Sequence, residues 1–205
     1  MSQLPYIIER CAGLFIRYGV KNLTMDDIAK ELAVSKKTLY LFVANKADLV
    51  HQVMQGHIKK EIKYFQEVKK SAKNAVEENL LMIAFMSEEL QEFNTSVFFD
   101  LQKYYPSSYA LLNEHREKVV LRHILNNLKE GMKQGWYRAD MNSDIVARIY
   151  VHALDILIDQ KLFPSMRYPF FTLYQEYVRY HLRGILTEKG IKQLEKIERL
   201  KHTEI

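Results

Sequence analysis

The sequence predicts an all-α protein, and three observations support that fold class. Only 7 Gly and 4 Pro interrupt the 205 residues. No segment alternates apolar and polar residues for long enough to indicate a β-strand. Apolar residues instead recur at intervals of three and four, which gathers them on one face of a helix. With 48% hydrophobic and 27% charged residues, the chain has the composition of a globular protein that buries a core.

Charge, cysteine content and hydropathy further restrict the class of protein that this sequence can encode. The formal net charge of +5 and the sequence pI near 9.1 mildly favour a polyanionic partner. A single cysteine, Cys11, excludes an intramolecular disulfide framework, and its apolar neighbours predict a core position. No run reaches the roughly 18 apolar residues of a membrane span, and the start lacks the pattern of an export signal. We therefore expect a cytoplasmic protein with no membrane contact.

The first predicted helix carries one buried stripe and ends at Gly19, a residue type common just after helix ends. The stripe consists of Leu4, Ile7, Ile8, Cys11, Leu14, Phe15 and Tyr18.

Three short helices with clear start signals follow between residues 19 and 50. Thr24 is a predicted N-cap with Asp27 three residues later, which indicates a helix over residues 25–32. After a three-residue turn, Ser35 caps a second helix that we expect to run from residue 36 to about 43. Asn45 caps a third, with Lys46 in its first turn and Asp48 at the position of a capping box.

Two short helices joined by a tight turn form the helix-turn-helix pattern. Ile28, Leu32, Val34, Leu39 and Val43 supply a shared core. Leu39 and Val43 hold the second helix to the body, which predicts an outward face that contains Lys36, Lys37, Thr38, Tyr40 and Leu41.

That outward face suits a DNA major groove, because cations and hydroxyls meet phosphates while side-chain edges reach bases. The free N–H groups at the helix start, which Ser35 caps, also favour phosphate, so Ser35 joins the predicted DNA-binding residues. The alternative is that Lys36 and Lys37 are solvated charges and Tyr40 is a packing residue. The capping residues, the turn length, the core spacing and the basic face all occur together between residues 19 and 50, and this coincidence favours the DNA-binding interpretation. Thr24 and Lys46 begin the flanking helices and are placed to clamp phosphates beside the groove.

These features resemble the DNA-binding domain of the TetR family of transcriptional regulators, over about a quarter of the chain. The resemblance is carried by Ile7, Ile8, Leu14, Phe15, Gly19, Thr24, Asp27, Ile28, Ala29, Leu32, Val34, Ser35, Thr38, Leu39, Tyr40, Asn45, Lys46 and Leu49. It implies phosphate contacts at Thr24, Tyr40 and Lys46. It implies base-facing positions at Lys36, Lys37 and Thr38. Val43 and Phe42 depart from the Phe and His that the family often has there.

The rest of the chain predicts further helices at about residues 76–93, 96–104, 107–134, 143–162 and 168–188, with a weakly apolar tail over 190–205. We therefore expect a three-helix helix-turn-helix domain over residues 1–50. A helical effector-binding and dimerisation domain would follow over residues 51–205. A single recognition helix gives weak specificity, so such proteins bind paired half-sites roughly 34 to 36 Å apart as dimers.

Two late helices are the predicted dimer face, through Ile149, Ala153, Ile156, Val178, Leu182 and Ile185. By resemblance to the family they would form a four-helix bundle across a two-fold axis. The alternative is that both stripes belong to the internal core.

The middle helices are rich in Phe, Tyr and Met. Taken alone, these residue types belong to a hydrophobic core more often than to a ligand-binding site. An apolar cavity with a few polar groups is nevertheless typical of small-molecule sites. We expect an apolar or aromatic effector near Phe85, Met86, Phe98, Tyr104, Tyr109 and Tyr150.

The sequence thus predicts a sequence-specific DNA-binding regulator, a homodimeric repressor on a palindromic double-stranded operator that its effector releases. The alternatives are a helical ligand-binding module or an activator without effector-released repression. An enzyme is not expected, because no helix carries His-Glu-x-x-His or Glu-x-x-His and no phosphate loop or nucleophile elbow stands out. We therefore expect no catalytic residues, no metal and no cofactor.

Overall fold

The computed structural model describes residues 3–203, with the side chains of residues 3–197. The described chain is helical and contains no strand, only one isolated antiparallel bridge between Tyr137 and Leu186. This confirms the predicted all-α fold. The helices are α1 (Gln3–Tyr18), α2 (Met25–Glu31), α3 (Lys36–Leu39), α4 (Lys46–Ser71), α5 (Ala75–Leu90), α6 (Ser96–Tyr104), α7 (Pro106–His115), α8 (Leu121–Lys133), α9 (Ser143–Leu157), α10 (Phe170–Ile185) and α11 (Glu188–Thr203).

The predicted helix over residues 107–134 is interrupted, because a π-helical turn from Arg116 to Val120 separates α7 from α8. The tail beyond residue 190 continues as α11 to Thr203, and the last two residues of the predicted tail lie outside the described residues.

Two other predicted helices end early. The second short helix stops at Leu39, because the N–H groups of Leu41 and Phe42 bond to carbonyls three residues back. This tightens the chain into a 3₁₀-type turn. Helix α9 stops at Leu157 and not near residue 162. Just beyond it, the carbonyl and carboxylate of Asp159 accept the N–H groups of the next residues and compete with the helix.

The chain forms two compact units. The first unit contains residues up to 63 and residues 92–115, and the second contains residues 64–91 and the chain from 116 onward. The predicted functional boundary after residue 50 falls within α4 and stays a prediction.

The core of the first unit joins α1 to the three-helix region. Cys11, Phe15, Ile28, Leu39 and Leu49 are each at most 1% exposed. The predicted core position of Cys11 is therefore confirmed, and burial raises the pKa of its thiol to about 11. Gly19 ends α1 with a φ of 77°, a left-handed conformation that favours glycine.

The second unit contains the largest fully buried side chain among the described residues, that of Tyr137, which is 1% exposed. Its hydroxyl lies 2.9 Å from the carbonyl oxygen of Ala75 and 3.0 Å from Oδ1 of Asn127. Asn79 donates to the same hydroxyl over 3.4 Å. Gly131 leaves room for the Tyr137 ring, because a Cβ there would lie 2.1 Å from a ring carbon.

Candidate nucleic-acid interface

The start of α2 is fixed by the predicted capping box. The backbone N–H of Asp27 donates to Oγ1 of Thr24 over 3.1 Å, and the Thr24 backbone N–H donates to the Asp27 carboxylate over 2.8 Å. The Thr24 hydroxyl also donates to that carboxylate over 2.6 Å, and these bonds lower the pKa of Asp27. A phosphate that contacts the Thr24 hydroxyl must therefore share it with Asp27.

Helix α3 begins at the predicted cap. Oγ of Ser35 accepts the backbone N–H of Thr38 over 3.0 Å, and the two hydroxyl oxygens lie 2.8 Å apart. Leu39 is fully buried and Val43 is 3% exposed, so the predicted anchoring of this helix is confirmed. The predicted core residues Ile28, Leu32 and Val34 belong to the same hydrophobic core as Leu39 and Val43 or pack against it.

The opposite side of α3 is open to solvent. Lys36 and Lys37 are exposed, Thr38 is half-buried, and Tyr40 and Leu41 are 45% and 73% exposed. The exposure of this face agrees with the outward orientation that the sequence predicts, whereas the DNA contacts of its residues stay predictions.

The two lysines of α3 differ electrostatically. Nζ of Lys36 lies 2.8 Å from Oδ2 of Asp26, and this bond raises the pKa of Lys36. Lys37 makes no ion pair with any residue whose side chain is described. An approaching phosphate therefore competes with Asp26 for the Lys36 ammonium. At the Lys37 ammonium it meets no such competition from a described side chain. Both partners of the Lys36–Asp26 pair are largely solvent-exposed, so the pair is weak and easily exchanged.

Lys46 is held more tightly than the sequence suggests. Its ammonium donates to the carbonyl oxygens of Val20 over 2.6 Å and Lys21 over 3.2 Å. Partial burial lowers its pKa. Since an ammonium has three donors, these two bonds leave one for a phosphate. The Asn45 side chain caps α4, as predicted, by accepting the Asp48 N–H over 3.0 Å.

Asp100 on α6 is a residue that sequence reasoning missed. Its Oδ2 accepts the backbone N–H of Val20 over 3.0 Å and that of Lys21 over 2.7 Å, and the residue is 5% exposed. Together with Lys46, it holds the loop between α1 and α2 through two amides and two carbonyls. The one available signal was an acidic residue within the buried stripe that Val97 and Leu101 form on α6.

The predicted effector residues belong to both compact units. Phe98, Tyr104 and Tyr109 lie in the first unit, and Tyr104 is 40% exposed. Phe85 and Met86 on α5 and Tyr150 on α9 lie in the second. Their assembly around one ligand stays a prediction.

Within the second unit, Tyr150 belongs to an aromatic cluster. Its ring centre lies 4.2 Å from that of His181 and 5.4 Å from that of Tyr177. Burial raises the pKa of Tyr150 to about 12 and lowers that of His181 to about 4. Both groups are therefore neutral at pH 7.

The predicted dimer residues divide by helix. On α9, Ile149 and Ile156 are 63% and 55% exposed, and Ala153 between them is half-buried. On α10, in contrast, the predicted residues are all buried in the chain's own core, the alternative that the sequence left open. They are Val178, Leu182 and Ile185.

The described residues contain no group of three or more His, Cys, Asp or Glu residues that could hold a metal ion. None of their helices combines the length and the apolar character that crossing a bilayer requires.

Comparison with known proteins agrees with this architecture. Residues 7–53 match the family model "Bacterial regulatory proteins, tetR family". The chain is 23% identical over 150 residues to the HTH-type transcriptional repressor KstR2 of Mycobacterium tuberculosis, across 72% of this chain and 75% of that protein.

Solved structures share the fold at low identity. A TetR-family regulator from Agrobacterium tumefaciens aligns with a TM-score of 0.73 at 16% identity, over 90% of this chain and 99% of the other. A putative transcriptional regulator from Saccharomonospora viridis, solved in complex with choline, aligns with a TM-score of 0.69 at 19% identity, over 92% and 100%. The match over residues 7–53 and the repressor relative together support a DNA-binding transcriptional regulator, and its fold resembles that of TetR-family regulators.

Proposed function

We propose that the chain is a homodimeric repressor that acts in the cytoplasm, binds a palindromic double-stranded operator, and is released by a small apolar or aromatic effector. The observation that carries this proposal is α3, which is capped at Ser35, buried at Leu39 and exposed at Lys36 and Lys37. The name of the KstR2 relative supports the repressor assignment.

Within this proposal, Lys36, Lys37 and Thr38 face the bases, and Thr24, Tyr40 and Lys46 contact phosphates on either side. Lys37 contributes most to base recognition, because no described acidic side chain competes for its ammonium. Lys46 contributes its remaining donor, while its other bonds hold the loop at Val20 and Lys21. The DNA-binding function then belongs to residues 1–50, and dimerisation and effector binding belong to residues 51–205.

Selection of bound sequences from a random duplex pool tests the DNA-binding proposal. We expect an enriched palindrome. Lys37→Gln and Thr38→Ala should change the enriched bases, since base contacts specify sequence. Lys46→Gln should weaken binding to every duplex and lower the salt slope by about 1. Equal effects of all three variants on random DNA would contradict the assigned roles, and increased transcription from a bound promoter would indicate an activator.

The exposed stripe of α9 supports dimerisation. Ile145, Ile149 and Ile156 each expose more than half of their surface, and Ala153 lies between the last two along the helix. Contiguous exposed apolar side chains are typical of protein interfaces. In this arrangement the two α9 helices of the dimer contact each other. Val178, Leu182 and Ile185 of α10 pack inside their own chain and do not form the contact.

Sedimentation of variants tests the dimer. Ile149→Glu should convert the dimer to monomer, because a carboxylate would be buried against apolar groups. Leu162→Glu is the matched control: Leu162 is 59% exposed but lies beyond the end of α9, and its variant should remain dimeric. A dimeric Ile149→Glu protein would contradict the proposed face.

The effector proposal rests on the aromatic residues of the middle helices and on the relatives. One structural neighbour is described as a ketosteroid transcriptional regulator, and another was solved with choline. A library of apolar and aromatic compounds should contain one that raises the melting temperature and releases operator DNA. If no compound does either, the chain binds DNA without such an effector.

A further inference from the structure

A basic surface on α6 lies beside the loop between α1 and α2. Nζ of Lys21 lies 5.2 Å from the centre of the Tyr104 ring, and Nζ of Lys103 lies 5.3 Å from the same centre. Lys103 also lies 5.4 Å from the centre of the Phe99 ring. We call Lys21, Lys103 and Tyr104 the α6 patch.

The α6 patch is solvent-exposed at all three residues, and it carries excess positive charge. Neither lysine forms an ion pair with a residue whose side chain is described. Asp100 is the carboxylate next to the patch, and it is buried against the backbone amides of Val20 and Lys21. With Lys46 also nearby, three ammonium groups stand against the carboxylates of Asp100 and Asp27, which both act on Lys46, so the surface keeps an excess positive charge that attracts an anion.

The patch is also held in place. The Lys21 backbone is fixed by Asp100 through its N–H and by Lys46 through its carbonyl oxygen. The Lys21 ammonium lies against Tyr104 and lowers the pKa of that phenol. Lysines that are already held in place lose less conformational entropy on binding than freely moving ones. This arrangement therefore favours binding of a phosphate at a defined position over unspecific attraction of dissolved anions.

The position of the patch identifies its partner. Its Lys21 carbonyl oxygen lies 3.2 Å from the ammonium of Lys46, which begins α4 and is a proposed phosphate contact. Basic surface therefore continues from the start of α4 onto α6 within one compact unit. We propose that Lys21 and Lys103, positioned by Tyr104, bind DNA backbone phosphates outside the groove that α3 enters. This extension rests on the proposed function, because it requires that the Lys46 side of the domain faces DNA.

Salt-dependent DNA binding tests the α6 patch. Lys21→Gln, Lys103→Gln and the double variant are compared with wild type on the selected operator and on a random duplex carrying the same flanks. Each lost phosphate contact should lower the slope of log affinity against log salt by about 0.9 per bound chain. That change reduces the ratio of affinities at 50 and 200 mM salt about three- to fourfold, equally on both duplexes.

Lys59→Gln is the matched control, because Lys59 is an exposed lysine of the same unit on α4 and is absent from the patch. It removes one positive charge and should leave the slope unchanged. The backbone bonds of Lys21 persist in Lys21→Gln, so its unfolding midpoint should match wild type. Slopes for the patch variants equal to that of Lys59→Gln would overturn this proposal alone. A wild-type protein that binds no duplex would overturn the proposed function instead.

Discussion

Residues 19–50 and the second unit secure their helices in different ways. In residues 19–50, side chains of Thr24, Ser35 and Asn45 each accept a backbone N–H three residues later. In the second unit, the Tyr137 hydroxyl and the Asn127 amide reach Ala75, which is 62 and 52 residues away in the chain. The first set is exposed and local, and the second is buried and distant.

This difference has an energetic consequence. An exposed cap stabilises its helix by about 1 kcal/mol, and water replaces it when it is removed. A buried polar group that loses its partner costs about 1–3 kcal/mol, because water does not reach it. We therefore expect the second unit to respond more strongly than residues 19–50 to changes that disturb single side chains.

Acid should separate the two regions most strongly. Burial lowers the pKa of His181 from 6.5 to about 4, so between these pH values the unfolded chain binds a proton that the folded second unit does not. The free energy of unfolding should fall by about 3 kcal/mol as the pH drops through this window, and His181 adds no further loss below it. The carboxylates of Asp27 and Asp48 have lowered pKa values, so residues 19–50 lose their contribution only as the pH falls below the ordinary carboxyl range.

Fluorescence of Trp136, the single tryptophan, reports unfolding of the second unit in urea at pH 7 and pH 4.5. His181→Phe should remove this contribution of about 3 kcal/mol to the change between the two pH values, whereas His57→Gln in the first unit should retain it. An unchanged pH dependence in His181→Phe would show that another group controls the acid response.

A single methyl group should have the next largest effect. Gly131→Ala places a Cβ 2.1 Å from the fully buried Tyr137 ring, which cannot move without losing its bonds to Ala75 and Asn127. We expect a loss of about 2 kcal/mol in the free energy of unfolding. Gly184→Ala is the matched control: nothing lies within 4 Å of its Cβ, and a helical alanine should stabilise by about 0.5–1 kcal/mol. Equal effects in the two variants would contradict the close packing at Gly131.

The smallest effect should come from a local cap. Thr24→Ala removes the capping bonds of α2 and should lower the free energy of unfolding by about 1 kcal/mol, as measured by urea denaturation followed by circular dichroism. Thr172→Ala provides the control, because Thr172 is exposed and caps no helix. It should stay within about 0.5 kcal/mol of wild type. A loss for Thr24→Ala larger than that for Gly131→Ala would reverse the comparison between the two regions.

How well the candidate site could be predicted depends on the same difference between local contacts and contacts of residues that are distant in the chain. The caps at Thr24, Ser35 and Asn45 depend on residues within one helical turn, and all three are confirmed. The occupation of Lys46 by two carbonyls was not predictable, because the partner groups lie 25 and 26 residues earlier. Asp100 has an even more distant pair of partners, 79 and 80 residues away.

The two late helices show the limit of periodicity. Both α9 and α10 carry apolar stripes that look equivalent in sequence, yet Ile149 is 63% exposed and Val178 is 7% exposed. A period of three to four residues identifies the face of a helix that is apolar. It does not identify what packs against that face, because the partner is set by the arrangement of other helices.

The sequence by itself determined the all-α fold class, the starts of the three short helices and the residues that α3 buries or exposes. These depend on bonds and spacings within a few residues. The tertiary structure decided which apolar stripe is covered, where α3 and α9 end, and how Asp100 and Lys46 fix the loop between α1 and α2. Such features require groups from distant parts of the chain to meet, and only the folded arrangement brings them together.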